Sequence, residues 1–294
     1  MNLKVSEAIK KAENFLKTKS IPKPRLDCEV LMESLLGFNQ AELYANLERY
    51  LSSLQFESYS RLIERRGNRE PTQYIIQSRE FWSLDFRVDK SVLIPRPETE
   101  ILIERVLVLR LEKHAGVSPL RILDIGTGCG NIAIALAKEI PAAKIIASDI
   151  SLSALKIAML NAKLNGVKKR IEFVQGNLLE PFCNDRNLKI PPFNIIVSNP
   201  PYIPSEQINE LSPEVSKWEP RTALDGGIDG LDFYRKIIAK AGDCLVKEGF
   251  LLLEIGEDQA EKIKEIASFH NAYKEVKVYQ DYSGKNREIE IWKK

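Results

Sequence analysis

Leu123-Asp124-Ile125-Gly126-Thr127-Gly128-Cys129-Gly130 is a short apolar strand that runs into a turn with glycine at every second position. Such a turn lets the backbone approach a ligand closely, with the N–H groups of the following helix facing it. Spacing excludes two familiar uses. A dinucleotide fingerprint, G-x-G-x-x-G, would need its third glycine at position 131, which is Asn131; a phosphate-binding P-loop would need Gly-Lys-Ser/Thr, which does not follow. What is left is an acid-x-Gly-x-Gly-x-Gly turn after a first strand.

Downstream, apolar runs at 120–124, 144–148, 171–175, 193–198 and 250–255 read as strands. Helical patterns at 131–139, 152–164, 231–243 and 258–268 lie between or after them. This alternation predicts a parallel sheet covered on both faces. The tail differs: 275–280 and 287–293 alternate like strands with no helix between them, which predicts an antiparallel final hairpin at the sheet edge. Ligands of such sheets bind beyond the carboxyl ends of the strands. Asp149 ends the second strand, where a carboxylate can accept from both ribose hydroxyls of an adenosine; a helix N-cap is its other reading. The third strand ends in Val174-Gln175-Gly176-Asn177-Leu178. There Asn177 can accept from an adenine amino group beside Leu178, or simply form the turn.

The fourth strand, Phe193-Asn194-Ile195-Ile196-Val197-Ser198, leads into Asn199-Pro200-Pro201-Tyr202. The Asn199 side-chain oxygen can accept one N–H. Proline has no N–H and a fixed φ, so the Pro200 carbonyl can be held as a second acceptor. Tyr202 can pack on the flat face of an amide or a base. The quartet therefore predicts a planar NH2 group as substrate, either an amide or an exocyclic amine.

Upstream, residues 1–72 read as a small helical bundle. Val5, Ala8, Ile9, Ala12 and Leu16 recur at helical spacing behind a candidate N-cap at Ser6. A second helix carries Leu26, Val30, Leu31, Leu35 and Leu36 and stops at Gly37. Gln73-Tyr74-Ile75-Ile76 and Phe81 to Val88 read as short strands, making 73–96 a β-hairpin linker to a domain over 97–294. Pro97, Glu98 and Glu100 suit the start of a helix. Arg65 and Arg66 read as a solvated basic face.

Bulk properties exclude several classes. A net charge of +2 is too balanced to demand a nucleic-acid partner. No apolar run approaches the roughly 18 residues of a membrane span, and the N-terminus lacks a signal-peptide core. Cys28, Cys129, Cys183 and Cys244 form no CxxC pair and read as reduced thiols, with no metal site. His114 and His270 lie in polar surroundings, so histidine acid–base chemistry is not expected. A cytoplasmic monomer is expected, with no membrane and no direct nucleic-acid contact.

The ordered set of glycine turn, second-strand acid, Asn177 and Asn-Pro-Pro-Tyr resembles the class I S-adenosylmethionine methyltransferases. The whole chain is similar to the PrmC/HemK family of release-factor glutamine methyltransferases. The resemblance is carried by Arg25-Leu26-Asp27, Glu70-Pro71-Thr72-Gln73-Tyr74-Ile75, Glu80-Phe81, Leu93 to Glu100, Glu219-Pro220, Ala223 to Leu231 and Asp281 to Arg287. Asn194, Gln77 and Asn177 depart from it, standing where Asp, Gly and Asp are common.

The resemblance implies a Rossmann-like seven-stranded sheet with an antiparallel final strand, and an N-terminal helical domain that recognises substrate. It implies S-adenosylmethionine held by Gly126, Thr127, Gly128, Cys129, Gly130, Asp149, Asn177, Leu178 and Asn199. It further implies catalysis by Asn199, Pro200, Pro201 and Tyr202, with Arg96 and Glu98 joining them in substrate binding. The implied substrate is the glutamine amide of the Gly-Gly-Gln motif in peptide-chain release factors, with an effect on translation termination. A ribosomal-protein glutamine methyltransferase, an N6-adenine nucleic-acid methyltransferase and a non-catalytic cofactor-binding module are the alternatives. The first shares the catalytic domain, the second should carry a basic recognition domain, and the third does not need the intact quartet.

Overall fold

The computed structural model describes residues 3–114, 116–183 and 191–294. The chain forms two compact units: Met1–Ser78 with Ser212–Trp218, and Arg79–Leu211 with Glu219–Lys294.

The first unit is helical, with α1 Val5–Thr18, α2 Pro24–Leu36, α3 Gln40–Ala45, α4 Ser53–Gly67 and α5 Thr72–Ile76. Val5, Ala8, Ile9, Ala12 and Leu16 make the buried stripe of α1, as their spacing predicts. That helix starts before Ser6, with Glu7 accepting the Lys4 backbone N–H. Gly37, in the left-handed region at φ 69°, ends α2. Asn39 with Glu42 and Ser52 with Gln55 cap α3 and α4 reciprocally, each cap contributing about 1 kcal/mol.

Two expectations for this unit are corrected. Gln73-Tyr74-Ile75-Ile76 is not a strand but the body of α5. Pro71 O accepts the N–H groups of Tyr74 and Ile75, and Gln77 at φ 58° stops the helix. The β-branched and aromatic residues there reflect burial of Tyr74 and Ile75, not an extended backbone. The positive φ at Gln77 also explains why glycine suits that position. Arg66 is not solvated. It is buried and paired with Asp27 at 2.7 Å and with Glu214 at 2.9 Å, the latter on α10, Pro213–Ser216, within the same unit.

The second unit opens with a hairpin, β1 Ser78–Phe81 and β2 Leu84–Arg87, turned by Trp82 and Ser83, both at positive φ. Helix α6, Glu100–Lys113, follows a 3-10 turn at Pro97–Thr99. The strands are β3 Arg121–Ile125, β4 Lys144–Asp149, β5 Ile171–Gln175, β6 Phe193–Ser198, β7 Leu245–Glu254, β8 Tyr273–Gln280 and β9 Asn286–Lys293. They form one sheet in the order β5-β4-β3-β6-β7-β9-β8. Its first five strands are parallel, and β9 enters antiparallel between β7 and β8. This is the predicted class I methyltransferase sheet.

Helices α7 Asn131–Glu139, α8 Leu152–Leu164, α9 Glu180–Cys183, α11 Asp232–Cys244 and α12 Ala260–Ser268 complete the unit. Leu251, Leu252 and Leu253 are all fully buried, so β7 is covered on both faces. Each such side chain contributes about 2 kcal/mol on burial.

His114 is corrected too. It is buried edge-on against the Phe250 ring at 5.4 Å, and burial holds its pKa down. Cys28 and Cys129 are free and buried, but Cys244 is disulfide-bonded, against the expectation of reduced thiols throughout.

Candidate active site

Register decides where the site forms. Ile125 pairs with Ser148 on one side and Ser198 on the other, and Ser198 pairs with Leu253. Gly126, Asp149, Asn199 and Glu254 are the next residues along their strands, so four loops leave the sheet at one level. Ser198 Oγ donates to Ile125 O at 2.8 Å and Ser148 Oγ to Asp124 O at 3.3 Å, fastening that level across three strands. Above it lies a cavity of about 500 Å³, within the size range of small-molecule sites.

The glycine turn forms the floor. Gly126, Gly128 and Gly130 all have positive φ, but for different ends. A Cβ on Gly126 or Gly128 would meet nothing within 4 Å, whereas on Gly130 it would lie 2.9 Å from Ile134 Cδ1 and 3.1 Å from Ala158 Cβ. The first two keep the floor open; the third lets α7 and α8 pack closely. Thr127 is buried and donates to Asp124 Oδ2 at 2.6 Å. Asp124 Oδ2 also accepts from Ala133 N, while Oδ1 is buried without a partner, and burial pushes this carboxyl up to about 7. Burial likewise pushes the Cys129 thiol up to about 12, so it is no thiolate nucleophile. Its carbonyl accepts from Asn161, which also holds the backbone of Arg87 in the hairpin.

Asp149 lines the wall. Oδ2 accepts from Gly128 N at 2.9 Å and Oδ1 from Ser151 N at 2.8 Å, and burial raises its pKa. It is not the N-cap of α8; Ser151 is, accepting from Ala154 N. Each Asp149 oxygen keeps further acceptor capacity for a diol. Asn177 and Leu178 line the cavity, and Asn177 Nδ2 donates to Glu180 at 2.9 Å, so that bond leaves its side-chain oxygen untaken.

Asn199, Pro200 and Pro201 line the opposite wall. Asn199 Nδ2 donates to Thr99 Oγ1 at 3.2 Å; its Oδ1 and the Pro200 carbonyl accept no hydrogen bond among the described residues. Gly226 to Gly230 pack against this loop: a Cβ on Gly230 would collide with Tyr202 O, and Gln259 donates to that same carbonyl. Arg96 also lines the wall and pairs with Glu219 at 2.6 Å.

Three expected site residues stand off the wall. Glu98 is exposed on the 3-10 turn, Gly130 is enclosed between helices, and Tyr202 turns its hydroxyl inward to Glu254 at 3.3 Å. Thr99, Phe233 and Lys236 line the cavity without having been singled out in the sequence. No histidine lines it, and no cluster of three or more His, Cys, Asp or Glu arranged to hold a metal occurs among the described residues.

An open glycine floor, a carboxylate and a free amide oxygen on one cavity fit S-adenosylmethionine in donor set and in size. Comparison with known proteins agrees. Residues 7–76 match the PrmC N-terminal domain family and residues 103–212 the methyltransferase small domain family. The release factor glutamine methyltransferase of Moorella thermoacetica is 39% identical over 96% of this chain and 95% of its own. That of Coxiella burnetii is 42% identical over 97% of each. The hMettl16 catalytic domain, solved in complex with MAT2A 3'UTR hairpin 6, matches 77% of this chain and 83% of its own at a TM-score of 0.57; at 17% identity it shares the fold alone. Together, the matched domains and the near full-length relatives show that the chain belongs to the release factor glutamine methyltransferase family, whose methyl donor is S-adenosylmethionine.

Proposed function

We propose that this protein methylates the side-chain amide nitrogen (N5) of the glutamine in the Gly-Gly-Gln motif of a peptide-chain release factor. The observation that carries the reading is Asn199: it lines the cavity with Pro200, and its NH2 end is committed to Thr99, so its oxygen is the end left to accept. Two acceptors on a rigid turn match the two hydrogens of a primary amide.

S-adenosylmethionine supplies a methyl group already activated on a sulfonium. The cofactor residues of this reading are Gly126, Thr127, Gly128, Cys129, Asp149, Asn177 and Leu178, with Gly130 acting from behind the turn by letting the helices pack closely. The chain has then to position a poor nucleophile, because the amide lone pair is conjugated with its carbonyl. Asn199 Oδ1 and Pro200 O bind both amide hydrogens and fix the nitrogen; orientation of this kind can supply roughly 7–11 kcal/mol of a barrier. As positive charge grows on the nitrogen, the same two oxygens stabilise it. No base is needed at the wall before transfer; the methylated nitrogen, now cationic and strongly acidic, gives up one of its two protons to water afterwards. Pro201 flanks the amide plane, and Tyr202, anchored to Glu254 by its hydroxyl, steadies the loop from behind the wall. Arg96 and Glu98 meet the protein substrate, and the helical domain over 1–72 recognises it. A monomer acting in the cytoplasm on protein, not on nucleic acid, fits the balanced charge.

The test is incubation with methyl-labelled S-adenosylmethionine and separate pools of release factor, ribosomal protein and RNA. Label on the Gly-Gly-Gln glutamine, lost when that glutamine is changed, supports the reading; label in either other pool overturns it. Asn199→Ala should bind the cofactor within a few-fold of wild type while turnover falls by about two to three orders of magnitude.

A further inference from the structure

Thr99 ends the 3-10 turn and Glu254 ends β7, and both are almost fully buried. Asn199 Nδ2 donates to Thr99 Oγ1 at 3.2 Å, and Thr99 Oγ1 donates to Glu254 Oε2 at 2.6 Å. Tyr202 Oη donates to Glu254 Oε1 at 3.3 Å. Both ends of the Asn-Pro-Pro-Tyr loop therefore hang on one buried carboxylate, Tyr202 directly and Asn199 through a hydroxyl.

The relay has a polarity. An ionised carboxylate only accepts hydrogen bonds, so the Thr99 proton is committed to Glu254 and Thr99 offers Asn199 nothing but lone pairs. Only the NH2 end of the Asn199 amide can answer, which leaves Oδ1 for the cavity. A protonated Glu254 reverses this order. Its own O–H donates to Thr99, the Thr99 proton is released toward Asn199 Oδ1, and the amide turns. Asn199 then shows NH2 to an incoming NH2, donor against donor.

We propose that Thr99 and Glu254 are positioning residues: ionised Glu254, acting through the Thr99 hydroxyl, holds the Asn199 amide with its oxygen toward the reacting nitrogen. This rests on the reading of Asn199 as acceptor for the substrate amide. Burial pushes Glu254 up to about 7, against the hydrogen bond from Thr99, the charge of Arg287 and the hydrogen bond from Tyr202; Glu98 adds to the rise. Glu288 faces it from β9, while Tyr234 of α11 donates to its backbone carbonyl.

The test measures kcat and KM on release factor, and cofactor affinity, for wild type, Thr99→Val, Thr99→Ser and Asn199→Ala. Thr99→Val should lower kcat roughly 10- to 100-fold. Its cofactor affinity should stay within about threefold, and Thr99→Ser should restore kcat to within about threefold of wild type. At saturation, wild-type kcat should rise with pH through about 7, and Thr99→Val should lose that limb. If Asn199→Ala is slow and Thr99→Val is not, the relay is wrong while the function stands. If Asn199→Ala keeps its turnover, the acceptor reading itself falls. Should Thr99→Val fail to fold, the wild-type profile decides: a flat kcat from about pH 5.5 to about 8.5 overturns the proposal.

Discussion

Arg96 Nη2 donates to Glu219 Oε1 at 2.6 Å, joining two segments 123 residues apart, each of which reaches the cavity wall through Arg96 or Pro220. Glu219 is buried, its Oε2 has no partner, and burial raises its pKa despite Arg96.

Removing Arg96 alone strands that carboxylate. Arg96→Ala should therefore cost about 1–3 kcal/mol, discounted because the guanidinium is one-third exposed. Adding Glu219→Gln should recover most of that stability. If Arg96 also meets the protein substrate, the double variant regains its melting temperature but keeps a raised KM. Recovery of both quantities would leave Arg96 with a structural role alone.

Asp149 serves two backbone N–H groups at once, those of Gly128 and Ser151. Asn has one acceptor where Asp has two. Asp149→Asn should therefore weaken cofactor binding nearly as much as Asp149→Ala, about 10- to 100-fold by calorimetry. A near-normal affinity for Asp149→Asn would take the turn geometry out of the argument.

Gly128 and Gly130 should fail differently. A methyl on Gly130 collides with Ile134 and Ala158, so Gly130→Ala should lower the melting temperature. A methyl on Gly128 meets open space, so Gly128→Ala should cost about 1 kcal/mol of backbone strain and act mainly on cofactor affinity. Equal loss of stability in the two variants would contradict this division.

Glu288 is fully buried with neither side-chain oxygen hydrogen-bonded among the described residues, and burial raises its pKa well above the usual carboxylate range. A carboxyl raised in the folded state binds protons more tightly there than when unfolded. Its stabilising effect is complete at low pH and is lost as pH rises through the folded pKa. Asp124 and Glu254, both pushed up to about 7, act with the same sign. The contribution of these three carboxyls to stability should thus fall as pH rises from about 4 to 7 and beyond. Glu288→Gln should raise the melting temperature at pH 8 by about 2 °C or more and change it little at pH 5. A shift of equal size at both pH values would contradict this.

Much of this architecture was legible because its signals are local. The apolar runs at 120–124, 193–198 and 250–255 fall on strands β3, β6 and β7, and the glycine turn and Asn199-Pro200 sit where the strand order requires. What failed was non-local. Tyr74 and Ile75 look like strand residues because burial and β-structure favour the same side chains, and Pro71 and Gln77 decide otherwise. His114 and Arg66 read as solvated because their apolar and anionic partners come from distant sequence. Thr99 stood inside the Leu93 to Glu100 run, but nothing local distinguishes a threonine that meets Asn199 from one that merely starts a helix.

The shared level of Ile125, Ser148, Ser198 and Leu253 makes the site a matter of counting. The irregular register between β6 and β7 near Phe193 and Ile195 lies upstream of that level, and the strand recovers before the site. One residue inserted between Ile196 and Ser198 would advance Asn199 by about 3.3 Å and turn its side chain to the opposite face of the sheet. Tolerance to length change therefore switches from permissive to prohibitive within a single strand. Length added at the far ends of the strands leaves that level in place, whereas length added in the last few residues resets the distance between donor pocket and acceptor oxygens.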